Sequence, residues 1–174
     1  MPNDRPKTRE DLLSRLSDLG IDARTTNHPA VFTVEESKAL RGDLPGVHCK
    51  NLFLKDKKGQ FWLVVLPEDR DVDMKDLRRR IGSHHLSFCR PEALSEVLGV
   101  APGAVTPFAA INDAAGLVNV VLDKALTDAE AVNFHPLENT ATTTIKPADL
   151  IRFLEAIDHP PVLADLDGDP GEGA

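Results

Sequence analysis

A strand–turn–strand pattern in the first half of the chain limits its fold more than any other feature. His48 to Lys55 and Gln60 to Leu66 are rich in leucine, aromatic and β-branched residues, and Asp56-Lys57-Lys58-Gly59 joins them as a turn. Strands linked this tightly pair antiparallel, which rules out a wholly parallel sheet built from long crossovers. Lys50 stands inside the first strand. Side chains alternate between faces, so its ammonium shares a face with Leu52 and Leu54. An ammonium buried without partners costs several kcal/mol. Either a cavity holding a polar ligand relieves that cost, or the strand frays there and the lysine reaches out to water. Asn51 follows on the opposite face. Lys50 and Asn51 can serve one site only if the strand is irregular, for instance at a bulge; otherwise Asn51 anchors a neighbouring loop.

Further along, helices and strands alternate without a repeat. Thr8 to Leu19 places Leu12, Leu13, Leu16 and Leu19 at helical spacing, with Thr8 as N-cap and Gly20 as stop. A short strand is expected from Ile21 to Thr26. Thr33-Val34-Glu35-Glu36 forms a capping box for a helix to about Leu40. Asp73 caps a helix to about Ile81, and Pro91 opens another to Leu98. Phe108 to Asn112 and Leu117 to Asp123, split by Asp113-Ala114-Ala115-Gly116, read as a second hairpin. Thr127 to Glu130 is a further capping box, Thr142 to Ile145 a last strand, and Pro147 to Ile157 a closing helix. Hairpins mixed with helices specify an α+β domain.

The 174 residues suit one domain, and 41% hydrophobic with 28% charged residues is ordinary for a water-soluble fold. No apolar run approaches the roughly 18 residues that would span a bilayer, and the N-terminus lacks the pattern of a signal peptide. With only Cys49 and Cys89, no disulfide framework is expected, and a cytoplasmic location follows. The net charge of −8 argues against a grip on long nucleic acid, DNA included. Part of that charge lies in Asp165, Asp167, Asp169 and Glu172, within a Gly/Pro-rich stretch expected to be a flexible tail over residues 159–174, after a domain at 1–158. Lys75, Arg78, Arg79 and Arg80 make a small basic patch, either a solvated helix face or a contact for RNA; Lys38 and Arg41 are a second candidate.

Two further segments bear on chemistry. Gly103-Ala104-Val105-Thr106-Pro107 is a loop restrained by Pro107, with Gly103 free to take unusual backbone angles, and such a loop can aim N–H groups at an anion or carbonyl oxygen. His135 is held between Phe134 and Pro136, which suits a positioned ring. Histidine spacings for a metal, Gly-rich nucleotide loops and a Gly-x-Ser-x-Gly elbow are all missing, so no metal and no cofactor is expected. Cys49 has a cation as its neighbour, yet alternation turns it away from Lys50.

From about Thr8 to about Ile157 the chain resembles the free-standing prolyl-tRNA editing domains, the YbaK-like aminoacyl-tRNA deacylases. The resemblance rests on Cys49-Lys50-Asn51-Leu52-Phe53-Leu54-Lys55-Asp56, Gly103-Ala104-Val105-Thr106-Pro107-Phe108 and Phe134-His135-Pro136-Leu137-Glu138-Asn139-Thr140, in that order and spacing. It looks closest to the branch that removes alanine from proline tRNA, with cysteine or another small residue as the alternative substrate and a non-catalytic tRNA-binding module as the alternative class. The resemblance implies a mixed, largely antiparallel barrel-like sheet flanked by helices. It further implies Lys50 as the essential lysine near the ester and terminal ribose, Gly103 to Pro107 as backbone donors, and Asn51 and His135 as pocket residues. Water would attack the ester with help from a ribose hydroxyl. The implied partners are the acceptor end of aminoacylated tRNA(Pro) and prolyl-tRNA synthetase, with no membrane. Phe32, Val34 and Leu52 are candidates for the wall of a pocket small enough to exclude proline.

Overall fold

The computed structural model describes residues 6–30 and 46–166. The Thr33 capping box, Phe32, Val34, Lys38 and Arg41 lie outside the described residues. Helix α1 (Arg9–Asp18) begins at a reciprocal cap: Thr8 Oγ1 accepts from Asp11 N at 3.2 Å, and Asp11 Oδ2 accepts from Thr8 N at 2.9 Å. Leu12 and Leu16, one turn apart, are its buried residues. Strand β1 (Arg24–Asn27) starts later than Ile21, because Ile21 N donates back to Leu16 O and is spent on the helix end.

The expected hairpin forms from β2 (Val47–Asp56) and β3 (Phe61–Pro67), in unbroken antiparallel register from Cys49↔Pro67 to Lys55↔Phe61. Helix α2 (Met74–Ile81) is capped by the Asp73 carboxylate, which accepts from Lys75 N and Asp76 N. Strand β4 (Leu86–Phe88) follows, and helix α3 opens at Pro91–Ala93 and widens into a π-turn over Leu94–Leu98. After it come β5 (Val118–Asp123), β6 (Val132–Phe134), β7 (Ala141–Ile145), helix α4 (Pro147–Ala156) and β8 (Val162–Ala164). The strands form one mixed sheet in the order β1-β7-β6-β2-β3-β5-β8, with β4 paired to β2. Four pairings are antiparallel, while β2–β6, β3–β5 and β5–β8 are parallel. This is the expected α+β class. No helix among the described residues is long and apolar enough to cross a membrane.

Three sequence expectations fail for local reasons. Phe108 to Asn112 is not a strand but part of a 3₁₀ helix, Pro107–Asn112. Pro107 presets its first turn, Thr106 Oγ1 accepts from Phe108 N, and Pro107 to Ala110 are all buried, where a half-exposed strand would alternate. With no hairpin partner, β5 pairs in parallel with β3. The Thr127 capping box starts no α-helix; Asp123 instead caps the 3₁₀ turn Lys124–Asp128, and Thr127 Oγ1 donates to Lys124 O. Finally, the chain from 159 to 166 belongs to the fold. β8 extends the sheet beside β5, Ala164 and Leu166 are buried, and His159 Nε2 lies 2.9 Å from Asp113 Oδ2 in a buried pair.

Apolar side chains pack on both faces of the sheet. One cluster joins Phe53, Leu63 and Val65 to Phe108, Phe134 and Phe153, the last two meeting Phe108 edge-on at centroid distances of 5.9 and 5.6 Å. The other joins Leu54, Val64 and Leu66 to Leu77 and Ile81 of α2.

Candidate functional site

Because β2 keeps its register through Lys50↔Leu66 and Asn51↔Val65, Lys50 and Asn51 do project to opposite faces, and no bulge brings them together. Asn51 shares its side with Cys49 and Phe53. Lys50, half-buried, shares the side of Leu52 and Leu54, where Leu52 packs against the second apolar cluster. What relates the two is the edge of the strand. β2 pairs with β6 only at Val47 and His48, and with β4 only from Leu54 to Asp56. Between them, among the described residues, Lys50 to Leu52 have no strand partner on that side.

A cavity of about 50 Å³ lies next to this stretch, lined by His48, Cys49, Asn51, Glu68, Asn133, Phe134, His135 and Thr142. It unites two residues singled out in the sequence, Asn51 and His135, with others that the sequence did not mark. His135 Nδ1 lies 2.9 Å from Ala141 O. A carbonyl only accepts, so Nδ1 carries the proton and the neutral ring leaves Nε2 as an acceptor. Burial pushes the His135 pKa below its usual 6.5, against the Ala141 hydrogen bond and aided by His28, so the neutral ring prevails near pH 7. The ring of His28 stands 6.1 Å away; its Nδ1 bonds Pro29 O at 2.8 Å, leaving Nε2 to accept from Thr142 Oγ1 at 2.9 Å. Thr142 is thereby oriented in the cavity wall. Asn133 is pinned by Thr144 Oγ1 at 2.6 Å and by its own donation to Val47 O at 3.3 Å.

Asn51 Oδ1 is buried and accepts no hydrogen bond among the described residues. An orphaned buried acceptor costs about 1–3 kcal/mol. With His135 Nε2, it makes a site that wants a donor: a water, a hydroxyl or an ammonium. Cys49 supplies no nucleophile. Burial raises its thiol to about 12, outweighing a lowering backbone hydrogen bond at Asn133, with Glu68 and Asp123 adding to the rise. Among the described residues, no three His, Cys, Asp or Glu side chains gather as metal ligands.

The Gly103-to-Pro107 loop adjoins this region through Phe108, which packs on Phe134, the residue before His135. Gly103 uses no left-handed angle; it sits in the 3₁₀ turn Pro102–Ala104. Ala104 N is spent on Ala101 O at 2.9 Å, and Ala104, Thr106 and Pro107 are buried. Gly103 and Val105 are the partly exposed members of the loop. A larger groove of about 600 Å³ opens elsewhere, but Asp69, Asp71, Asp73 and Asp76 line it. Its two arginines are already paired, Arg70 with Asp123 and Arg80 with Asp76, so this groove repels a polyanion.

The model of the aminoacyl-tRNA editing domain matches residues 28–153. Prolyl-tRNA synthetase associated domain-containing protein 1 of Danio rerio is 42% identical, with 95% of this chain and 90% of that protein aligned. The prolyl-tRNA editing protein ProX of Acetoanaerobium sticklandii is 36% identical over 85% of this chain and 91% of its own length. A solved structure described as a candidate trans-editing enzyme for prolyl tRNA synthetase superposes with a TM-score of 0.71, at 21% identity, covering 92% of this chain and 97% of the other.

Proposed function

The chain belongs to the aminoacyl-tRNA editing domain family, and from that premise we propose that it acts in trans to hydrolyse the ester linking alanine to proline tRNA. The observation that carries this reading is the edge of β2, unpaired among the described residues, with Lys50 on one face of the strand and the Asn51–His135 cavity on the other. The aminoacyl ester enters at that edge. Asn51 Oδ1 and His135 Nε2, both acceptors, hold the donors of the substrate: the α-ammonium, a ribose hydroxyl or the attacking water.

Lys50 binds the ribose and terminal phosphate through charge-assisted hydrogen bonds. Ester hydrolysis builds negative charge on the carbonyl oxygen, and the backbone N–H groups of Gly103, Val105 and Thr106 are the loop donors to receive it, since Ala104 N is already committed to Ala101 O. One such donor is worth about 2.7–4 kcal/mol in the transition state. An aminoacyl ester is already reactive, so holding a water in line, with the neighbouring ribose hydroxyl assisting, is sufficient chemistry. A cavity near 50 Å³ favours a small side chain. That is the second sieve a synthetase needs, because a pocket made for proline rejects the smaller alanine by only about 1–3 kcal/mol per methylene. The acceptor end of the tRNA is the expected partner, alone or on prolyl-tRNA synthetase.

The test is deacylation of alanyl-, cysteinyl- and prolyl-tRNA(Pro) by the wild type and Lys50→Ala. Rapid loss of alanine alone, abolished by the substitution, is expected. Preferential loss of cysteine would reassign the substrate, and no turnover on any of the three would refute the enzymatic reading.

A further inference from the structure

A second cleft, of about 490 Å³, lies away from the aminoacyl cavity and is lined by Lys57, Lys58, Arg78, Ser83, His84 and His85. We propose that this cleft grips backbone phosphates of the RNA. The inference rests on the reading of tRNA as substrate and adds where the body of that RNA is held.

Among the described residues no carboxylate lines the cleft, although the whole chain carries a net charge of −8. The local excess of cations is therefore set against the general charge rather than part of it. Lys57, Lys58, Arg78, His84 and His85 are all exposed. The walls are also built, not accidental. Lys57 N donates to His85 O at 3.1 Å, and Ser83 N donates to Arg78 O at 3.1 Å, tying the β2–β3 turn, the 83–85 segment and the end of α2 together. Asp56, next to Lys57 in the chain, is 5% exposed and turned inward. Its Oδ1 accepts from Lys58 N and Gln60 N, and its Oδ2 from Trp62 Nε1 and His84 N, so its charge fastens two walls of the cleft from behind.

The chemistry presented is that of a phosphate site. Arg78 offers a planar fork for two oxygens, the two lysines offer mobile point charges, and the imidazoles of His84 and His85 offer ring N–H donors, while the Ser83 hydroxyl is spent on His84 O at 2.9 Å. The structure also divides the basic patch expected from the sequence. Arg79 and Arg80 bind the Asp76 carboxylate at 3.1 and 2.6 Å, and Arg80 donates to Asp165 O as well. Of Lys75, Arg78, Arg79 and Arg80, only Arg78 lines the cleft. The lysines of the β2–β3 turn take the place of the others.

Titration of fluorescently labelled, uncharged tRNA(Pro) transcript against salt tests this. Three phosphate contacts give a slope of log affinity on log salt of about −2 to −3. Lys57→Ala/Lys58→Ala is expected to flatten the slope by roughly 1.5 and Arg78→Ala by about 0.7–0.9, with affinity falling about tenfold per lost contact near 50 mM salt. Lys146→Ala, an exposed cation outside the cleft, is the control for net charge and is expected to leave both unchanged. Equal slopes for wild type and the cleft variants, or the same loss in the control, would overturn the proposal. Binding of uncharged tRNA needs no turnover, so an inactive protein whose slope still responds to the cleft variants sinks the editing reading alone.

Discussion

Replacing Asp56 by alanine removes the one carboxylate on which the β2–β3 turn, Trp62 and the segment before β4 converge. It accepts from Lys58 N at 2.9 Å, Gln60 N at 3.0 Å, Trp62 Nε1 at 3.1 Å and, weakly, His84 N at 3.4 Å. A hydrogen bond to a charged group contributes about 1.5–3 kcal/mol. Lys58 and Gln60 are exposed and regain water, so the lower figure applies to them, and the long His84 bond adds little. With about 1.5 kcal/mol for each of the Lys58 and Gln60 bonds and about 1.5–3 kcal/mol for Trp62, Asp56→Ala is expected to lose about 4.5–6 kcal/mol, a large share of the roughly 5–15 kcal/mol that stabilises a domain. Asp56→Asn keeps the shape but turns an amide donor toward some of these N–H groups, and a smaller loss is expected. Urea unfolding followed by the emission of Trp62, the single tryptophan, measures both. The pH dependence supplies a second check. Burial alone would raise the Asp56 pKa, but the Trp62, Gln60, His84 and Lys58 donors outweigh it and hold the carboxyl below its usual 3.8. Its contribution is therefore complete above pH 3.8 and lost as pH falls through the depressed value. A stability gap between wild type and Asp56→Ala below about 1 kcal/mol at pH 7, or one that stays constant as acid protonates the group, would refute this reasoning.

Three further outcomes are expected. His135→Gln should lower deacylation of alanyl-tRNA(Pro) at least tenfold (about 1.4 kcal/mol) with little change in uncharged tRNA affinity; the His135 contribution to stability should be full above pH 6.5 and decline as pH drops from 6.5 toward its depressed value, read by urea titration across that range. Gly46→Ala should destabilise by more than about 2 kcal/mol, because Gly46 has φ +92° and a Cβ there meets Ala131 O at 2.6 Å, beside the Val47 N to Ala131 O bond that starts the β2–β6 pairing; thermal melting decides. A chain ended after Asp158 should melt at least several degrees below one ended after Leu166, because it loses β8 and the buried His159–Asp113 pair; equal melting would return residues 159–166 to a dispensable tail.

Elements whose signals are local were legible in the sequence. The Thr8 and Asp73 caps mark their helices, and alternation with a turn marks β2 and β3. Strands β4, β6 and β8 have three residues each, too few to show a period, and their partners lie far along the chain. Phe108 to Asn112 misleads because a buried 3₁₀ turn and a buried strand are equally apolar. Of the candidate residues, Lys50, Asn51 and His135 stood out by residue type and context, and the structure brings Asn51 and His135 to one cavity. His48, Glu68, Asn133 and Thr142 did not, since it takes the β2–β6 and β6–β7 pairings, with Glu68 N bonded to His48 O beyond β3, to bring them to one cavity. The stretch of β2 that is unpaired among the described residues depends on where two distant short strands stop, which no local pattern encodes.

Among the described residues, the sheet ends on one side at β1, paired with β7, and on the other at β8, laid beside β5. Both borders thus wait for the last quarter of the chain: Arg24 meets Thr144, and Val121 meets Val162. On the ribosome, β2 and β3 join early, but among the described strands β1 meets its neighbour β7 and β5 its neighbour β8 only once residues 141–145 and 162–164 have emerged. Long-range pairing of this kind also slows the search for the native arrangement. The nascent protein accordingly passes through a stage with two sticky margins, and its yield in a cell should depend on chaperone supply more than the stability of the finished fold suggests.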